Sequence, residues 1–212
     1  MPLHVKRLTA QNTLTFDGFY AIYARAFPLS EQKSKETLLA MLDAPFYTLF
    51  LAYDDEKIVG FCIMYHPKKD DFFLLEYIAI TPHIQAKGVG SFLLQTSLNL
   101  LFETEGIRPV LIEIDSPEHP SFEQEIREKR ERFYRKLGAL KIDPFDYILP
   151  LQSNEAPPPM ELLLLQYPHK TLEKETLKRW LEALYHDVYG CTKDDGRIAQ
   201  MLTHAPAFLN LI

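Results

Sequence analysis

The sequence predicts an α+β fold, a mixed, mostly antiparallel central sheet flanked by helices and followed by a C-terminal helical extension. Three observations predict it. Apolar runs of strand length and helical stripes alternate in the order β-α-α-β-β-β-α-β-α-β-β. Short polar segments join the consecutive strand runs, as hairpins require. Hydrophobic residues make up 47% of the 212 residues, enough for a substantial core.

Leu3 to Leu8 alternates and reads as the first strand. Thr15 to Phe27 carries a helical stripe of Phe16, Phe19, Tyr20, Tyr23 and Phe27, and Pro28 stops it. Ser34-Lys35-Glu36-Thr37 is a cap for a second helix reaching Leu42. Phe46 to Tyr53 and Ile58 to Tyr65 are strands joined by the polar turn Asp54 to Lys57. Phe72 to Ile80 is the next strand, and Ser91 to Phe102 the helix after it. Val110 to Ile114 is a strand and Phe122 to Leu137 a helix, charged on one side. Leu140 to Leu149 and Met160 to Gln166 close the sheet around a Pro-rich loop, Gln152 to Pro159. In the tail, Leu172, Leu177, Trp180, Leu181, Leu184, Tyr185 and Val188 form a helical stripe ended by Gly190. Ile198, Met201 and Leu202 suggest one more helix. Residues 1–167 are expected to form the main domain. Residues 168–212 are expected to pack on it or to form a dimer interface.

Composition narrows the function. Lys and Arg total 23 against 29 Asp and Glu, a net charge of -6, which disfavours a nucleic-acid partner. No apolar run is long enough for a membrane span, and Met1 to Arg7 lacks a hydrophobic signal region, so a cytoplasmic protein is expected. The two cysteines, Cys62 and Cys191, are far apart; Cys62 reads as a buried thiol, and no metal site is expected.

The most informative stretch is Gln85-Ala86-Lys87-Gly88-Val89-Gly90, between a strand and a helix. Main-chain N–H groups in the first turn of a helix lack intrahelical acceptors, and the helix dipole adds positive charge there. Glycine lets a phosphate approach the backbone. The P-loop spacing, Gly-x-x-x-x-Gly-Lys-Ser/Thr, is not present. A dinucleotide fingerprint fails because Leu93 stands where its third glycine belongs. What matches is Gln/Arg-x-x-Gly-x-Gly/Ala, carried by Gln85, Gly88 and Gly90. Downstream, Phe133-Tyr134-Arg135-Lys136-Leu137-Gly138-Ala139 is similar to a Phe-Tyr-x-x-Leu-Gly-Phe helix ending, with Ala139 replacing the bulky last residue. With these two segments in order, the chain resembles the GCN5-related N-acetyltransferase (GNAT) superfamily over about residues 3 to 167.

The resemblance implies acetyl transfer from acetyl-CoA to a primary amine, on a small molecule or a protein, by direct attack in a ternary complex. It implies a sheet splayed between the fourth and fifth strands. The main-chain amides of Ala86, Lys87, Gly88, Val89, Gly90 and Ser91 would hold the diphosphate, Gln85 would support the turn, and Lys87 would add charge. The backbone of Ile78, Ala79 and Ile80 would pair with the pantetheine arm. A strand N–H near Tyr77 to Ala79 would donate to the oxyanion, and Tyr134 would protonate the leaving thiolate.

The attacking amine must also lose a proton, since a lysine-like ammonium has a pKa near ~10.4. Glu76 is the first candidate base, being alone in an apolar strand where an unpaired carboxylate is costly. Glu113, in Val110-Leu111-Ile112-Glu113-Ile114, is the second, by the same argument. Structural carboxylates bonded to backbone or arginine are the alternative for both, and a water chain is the alternative base. His83, just before the cradle, reads as an exposed loop histidine, with a hydrogen bond to a phosphate as the alternative. At the level of function, the alternatives are an acyl-CoA-binding sensor without turnover and a homodimer built through the C-terminal helices.

Overall fold

In the computed structural model, the described residues are 3–9, 13–85, 87–150 and 158–212. The chain divides into two units, residues 1–66 with 74–107 and residues 67–73 with 108–212. The α+β class expected from the sequence is the one observed, and the strand pairs within each unit are antiparallel.

The first unit is a four-stranded meander with three helices. Strands β1 (Leu3–Leu8), β2 (Tyr47–Asp54), β3 (Lys57–Tyr65) and β4 (Phe73–Ile80) pair in sequence order. Helix α1 (Thr13–Ala26) buries Phe16, Phe19 and Tyr23, and the Phe19 ring meets Phe61 of β3 edge-on at 4.9 Å. Helix α2 (Lys35–Asp43) begins where its cap predicts: Ser34 Oγ accepts from Thr37 N at 3.1 Å. Helix α3 (Val89–Glu105) buries Leu93, Leu94, Leu98 and Leu101 along one face.

The second unit contains β5 (Val110–Asp115), α4 (Gln124–Lys136), β6 (Leu140–Asp143), β7 (Met160–Leu165), β8 (Thr171–Glu173), α5 (Lys174–Ala183), α6 (Gly196–Leu202) and β9 (Phe208–Leu211). β5 pairs with β7, β7 with β6, β6 with β9 and β9 with β8. The strand expected over residues 140–149 therefore stops at Asp143, because Pro144 has no N–H to continue the ladder. The Pro-rich loop expected over Gln152 to Pro159 falls mostly outside the described residues. The tail holds the expected helices and two strands besides. Leu172, placed by the sequence on a helical stripe, is the buried centre of β8. Trp180 is 1% exposed, packs on Phe72, and donates from Nε1 to Asp71 Oδ1 at 3.0 Å. Along the charged helix α4, Glu125–Lys129, Glu128–Arg132 and Glu131–Arg135 form i,i+4 ion pairs. No helix among the described residues is long and apolar enough to cross a membrane.

Candidate active site

The turn from β4 into α3 is built by a few local interactions. Gly60 of β3 lets the end of β4 approach closely; a Cβ there would stand 2.8 Å from the Ala79 carbonyl oxygen. Thr81 N donates to Val59 O at 2.8 Å, and a short 3-10 turn, Pro82–Ile84, redirects the chain. Gln85 Nε2 reaches back to Ile80 O at 3.1 Å and closes the loop. Gly88 then takes φ = 79°, a left-handed conformation that other residues adopt only with strain, and α3 starts at Val89.

The first α3 amide to find a helical acceptor is that of Phe92, on Gly88 O at 3.0 Å. The N–H groups of Val89, Gly90 and Ser91 precede it and are the orphan donors of the helix start. A Cβ built on Gly88 would meet no atom within 4 Å, so the space beside it is open. Lys87 and His83 are exposed at the same turn, and Ala86 lies outside the described residues. Orphan amides, the positive end of a 17-residue helix and an unobstructed glycine suit a diphosphate.

Glu76 occupies a β-bulge. Ile63 pairs with Tyr77 and Met64 with Leu75, so Glu76 is the extra residue on β4. Its side chain is 6% exposed and faces Lys33, with Oε1 and Nζ 3.0 Å apart. Burial pushes the Glu76 carboxyl above the usual carboxylate range, against the opposing pull of Lys33 and, more weakly, of the Tyr47 side chain. The segment bearing Lys33 is pinned in place. Lys33 N donates to Tyr23 Oη at 2.7 Å, Tyr77 Oη donates to Glu31 O at 2.8 Å, and Gln32 Nε2 donates to Phe27 O at 2.7 Å. Burial holds the proton on Tyr77, which keeps it a donor.

Glu113 keeps strand register opposite Leu162. Its Oε1 accepts from Tyr147 Oη, and its Oε2 accepts from Tyr189 Oη at 2.7 Å. Tyr134 lies in the last turn of α4, 6% exposed, with the Phe133 ring edge-on at 4.9 Å. Gly138, at φ = 93°, ends that helix, and Ala139 is buried just beyond it, so its small side chain fills an interior position. Cys62 is buried in mid-strand, and burial pushes its thiol up to about 12, which makes it a poor nucleophile. Among the described residues, no group of three or more His, Cys, Asp or Glu side chains could hold a metal ion.

Sequence reasoning singled out the two carboxylates and missed their partners. Lys33 and Tyr47 carry no local signal linking them to Glu76. Tyr147 and Tyr189 lie 34 and 76 residues from Glu113.

Comparison with known proteins gives this architecture a family. Residues 16–139, more than half of the chain, match the acetyltransferase (GNAT) family, and the protein belongs to that family. A GNAT-family protein of Bacteroides thetaiotaomicron superposes with a TM-score of 0.70 at 20% identity, over 89% of this chain and 99% of that one. The ribosomal-protein-S18-alanine N-acetyltransferase of Escherichia coli gives 0.56 at 20% identity, over 77% and 93%. An aminoglycoside 6'-N-acetyltransferase complexed with coenzyme A gives 0.61 at 16% identity, over 78% and 98%. At these identities the structural likeness establishes the fold alone. No curated protein matches the chain by sequence.

Proposed function

We propose that the protein transfers an acetyl group from acetyl-CoA to a primary amine by direct attack of the amine on the thioester. The observation that carries this reading is the turn from Gln85 to Ser91 in a chain of the GNAT family. There, Gly88 and the orphan amides of α3 form an anion cradle at the end of β4. The names of two structural relatives, both N-acetyltransferases, are in keeping with an amine acceptor.

The roles follow from chemistry. The amides of residues 86–91 take the diphosphate, and Lys87 adds charge. The backbone of Ile78, Ala79 and Ile80 pairs with the pantetheine arm, while Gln85 braces the turn from behind. A β4 amide near the Glu76 bulge stabilises the oxyanion. Tyr134 returns a proton to the departing thiolate. Of the two carboxylates, Glu76 is better suited to take the proton of the amine: burial raises its proton affinity, whereas both oxygens of Glu113 already accept phenol hydrogens.

Two measurements test the reading. Calorimetry with acetyl-CoA should show saturable binding by the wild type and none by Gly88→Glu. That variant strains the left-handed position and sets a carboxylate where the diphosphate belongs, while circular dichroism should remain native. Release of free thiol should then be screened over a panel of primary amines. Equal acetyl-CoA affinity in the wild type and Gly88→Glu would remove the cradle, and with it the acetyltransferase reading.

A further inference from the structure

We infer that Lys33 is a positioning residue for Glu76: the connection between α1 and α2 seats its ammonium on the buried carboxyl and so keeps that group available, as a carboxylate, to take the proton of the acceptor amine. The inference rests on the acetyltransferase reading above and deepens it.

The starting point is the bulge. As the extra residue on β4, Glu76 is turned out of the ladder, a device that re-aims side chains and recurs beside active sites. Both of its carboxyl oxygens are buried, and neither has a hydrogen bond of ordinary geometry. The charged and titratable groups around them come from three elements: Lys33 on the connection, Tyr47 on β2, and Tyr77 beside Glu76 on β4, on which the Glu31 charge also acts. Lys33 brings the only positive charge of that set, with Nζ 3.0 Å from Oε1. A nearby cation favours the ionised carboxyl, while burial favours the protonated one. The ammonium therefore opposes burial more than any other neighbour of Glu76 does.

Lys33 is placed through its own backbone. Its N–H donates to Tyr23 Oη at 2.7 Å, and Tyr23 is fully buried on α1. The Tyr23 ring stands edge-on to Tyr77 at 5.2 Å, and Tyr77 Oη donates to Glu31 O at 2.8 Å. Gln32 Nε2 reaches Ala24 O and Phe27 O at 3.1 and 2.7 Å. On the other side of Lys33, Ser34 caps α2. Lys33 thus lies between two anchored points, with its side chain 21% exposed. Lys35, two residues on, is the contrast. It pairs with Asp17 at 2.7 Å, and both of those side chains are exposed, where water weakens an ion pair. The same stretch of chain therefore carries two lysines, of which one serves a buried carboxyl. Lys33 acts through Glu76, and Tyr23 acts through Lys33.

The experiment titrates the Glu76 carboxyl directly. Wild type, Lys33→Met, Lys33→Arg, Lys35→Met and Tyr23→Phe are labelled at the glutamate carboxyl carbons and followed by NMR against pH, with the Glu76 signal assigned by its loss in Glu76→Gln. The Glu76 midpoint should move to higher pH in Lys33→Met, where burial is left almost unopposed, and by less in the same direction in Tyr23→Phe. It should stay near the wild-type value in Lys33→Arg, which keeps the charge, and in Lys35→Met. An unmoved or lowered midpoint in Lys33→Met overturns the inference, and an unmoved one in Tyr23→Phe overturns the seating of Lys33 by the connection. Should Lys33→Met fail to fold, Tyr23→Phe decides in its place. Thiol release at saturating acetyl-CoA is then followed against pH with the best amine of the panel. In Lys33→Met the acid limb of kcat should move up with the midpoint, and the rate above that limb should return to the wild-type level. A loss equal at every pH and not rescued by Lys33→Arg would mark a structural lysine and overturn the inference as well. Failure of the acetyltransferase reading would appear separately, as wild type that does not bind acetyl-CoA; the midpoint alone then decides whether Lys33 governs the charge of Glu76.

Discussion

Glu76 on β4 is bulged out of its ladder, is almost fully removed from water, and faces the ammonium of Lys33. Glu113 on β5 keeps its register, stays partly exposed, and faces two phenols. In sequence the two are alike, single carboxylates inside apolar strand runs. The difference lies in what meets them. Lys33 does not fully offset the burial of Glu76, so that site favours taking up a proton. At Glu113 both oxygens accept phenol hydrogens instead. A buried carboxyl with raised proton affinity is the better suited of the two to proton transfer.

The largest test of the contrast is Glu76→Gln. If Glu76 is the proposed general base, its removal should lower kcat by about 10²–10⁴-fold and flatten the rise of rate with pH. The same change should leave the melting temperature equal or higher at pH 7, because burial disfavours the ionised carboxylate it removes. Glu113→Leu should behave oppositely in stability. It strips two phenols of their acceptor, at a cost of about 2 kcal/mol, which lowers the melting temperature by roughly 4–8 °C in a chain of this size. Thermal scans of both variants would break the contrast if the signs came out alike.

A second pair of phenols sharpens it. Tyr134→Phe should lower turnover by about a hundredfold while acetyl-CoA affinity holds, since it removes the proposed proton donor and little packing. Tyr147→Phe should cost roughly 2 kcal/mol of stability through its lost bond to Glu113. An unaltered rate in Tyr134→Phe, measured by thiol release, would take that residue out of the mechanism.

How far the sequence could be read depended on how local the cause was. Ser34 capping α2, Gly88 opening α3 and the ion pairs along α4 are decided within a few residues, and each was visible. The bulge at Glu76 was not. The first three residues of β4 are buried and the remaining five partly exposed, so no period-two alternation exists for a bulge to interrupt. β8 and β9, three and four residues long, are too short to register as patterns and exist through pairing with distant chain. The partners of both carboxylates were hidden for a similar reason. Lys33 is separated from Glu76 by three intervening elements, α2, β2 and β3, and Tyr189 follows Glu113 by 76 residues. A lone charge in a strand announces that something must satisfy it, but only the folded chain says what.

The smallest expected effect carries the cleanest sign. Glu76 titrates from an ordinary value of 4.5 when unfolded to a raised value when folded. Between the two, the folded state binds more protons than the unfolded one, so its stability falls as pH rises through that window. Below the unfolded value both states are protonated, and Glu76 contributes no penalty. Above the folded value the full penalty of a buried charge is present. Subtracting the stability of the wild type from that of Glu76→Gln should therefore give a difference that is smallest near pH 4, grows through the window, and then levels off. Chemical denaturation at closely spaced pH values measures it directly. A difference that shrinks as pH rises would mean that Lys33 overcompensates the burial. Glu76 would then be a structural ion pair, and the proton-transfer role would have to be sought elsewhere on the chain.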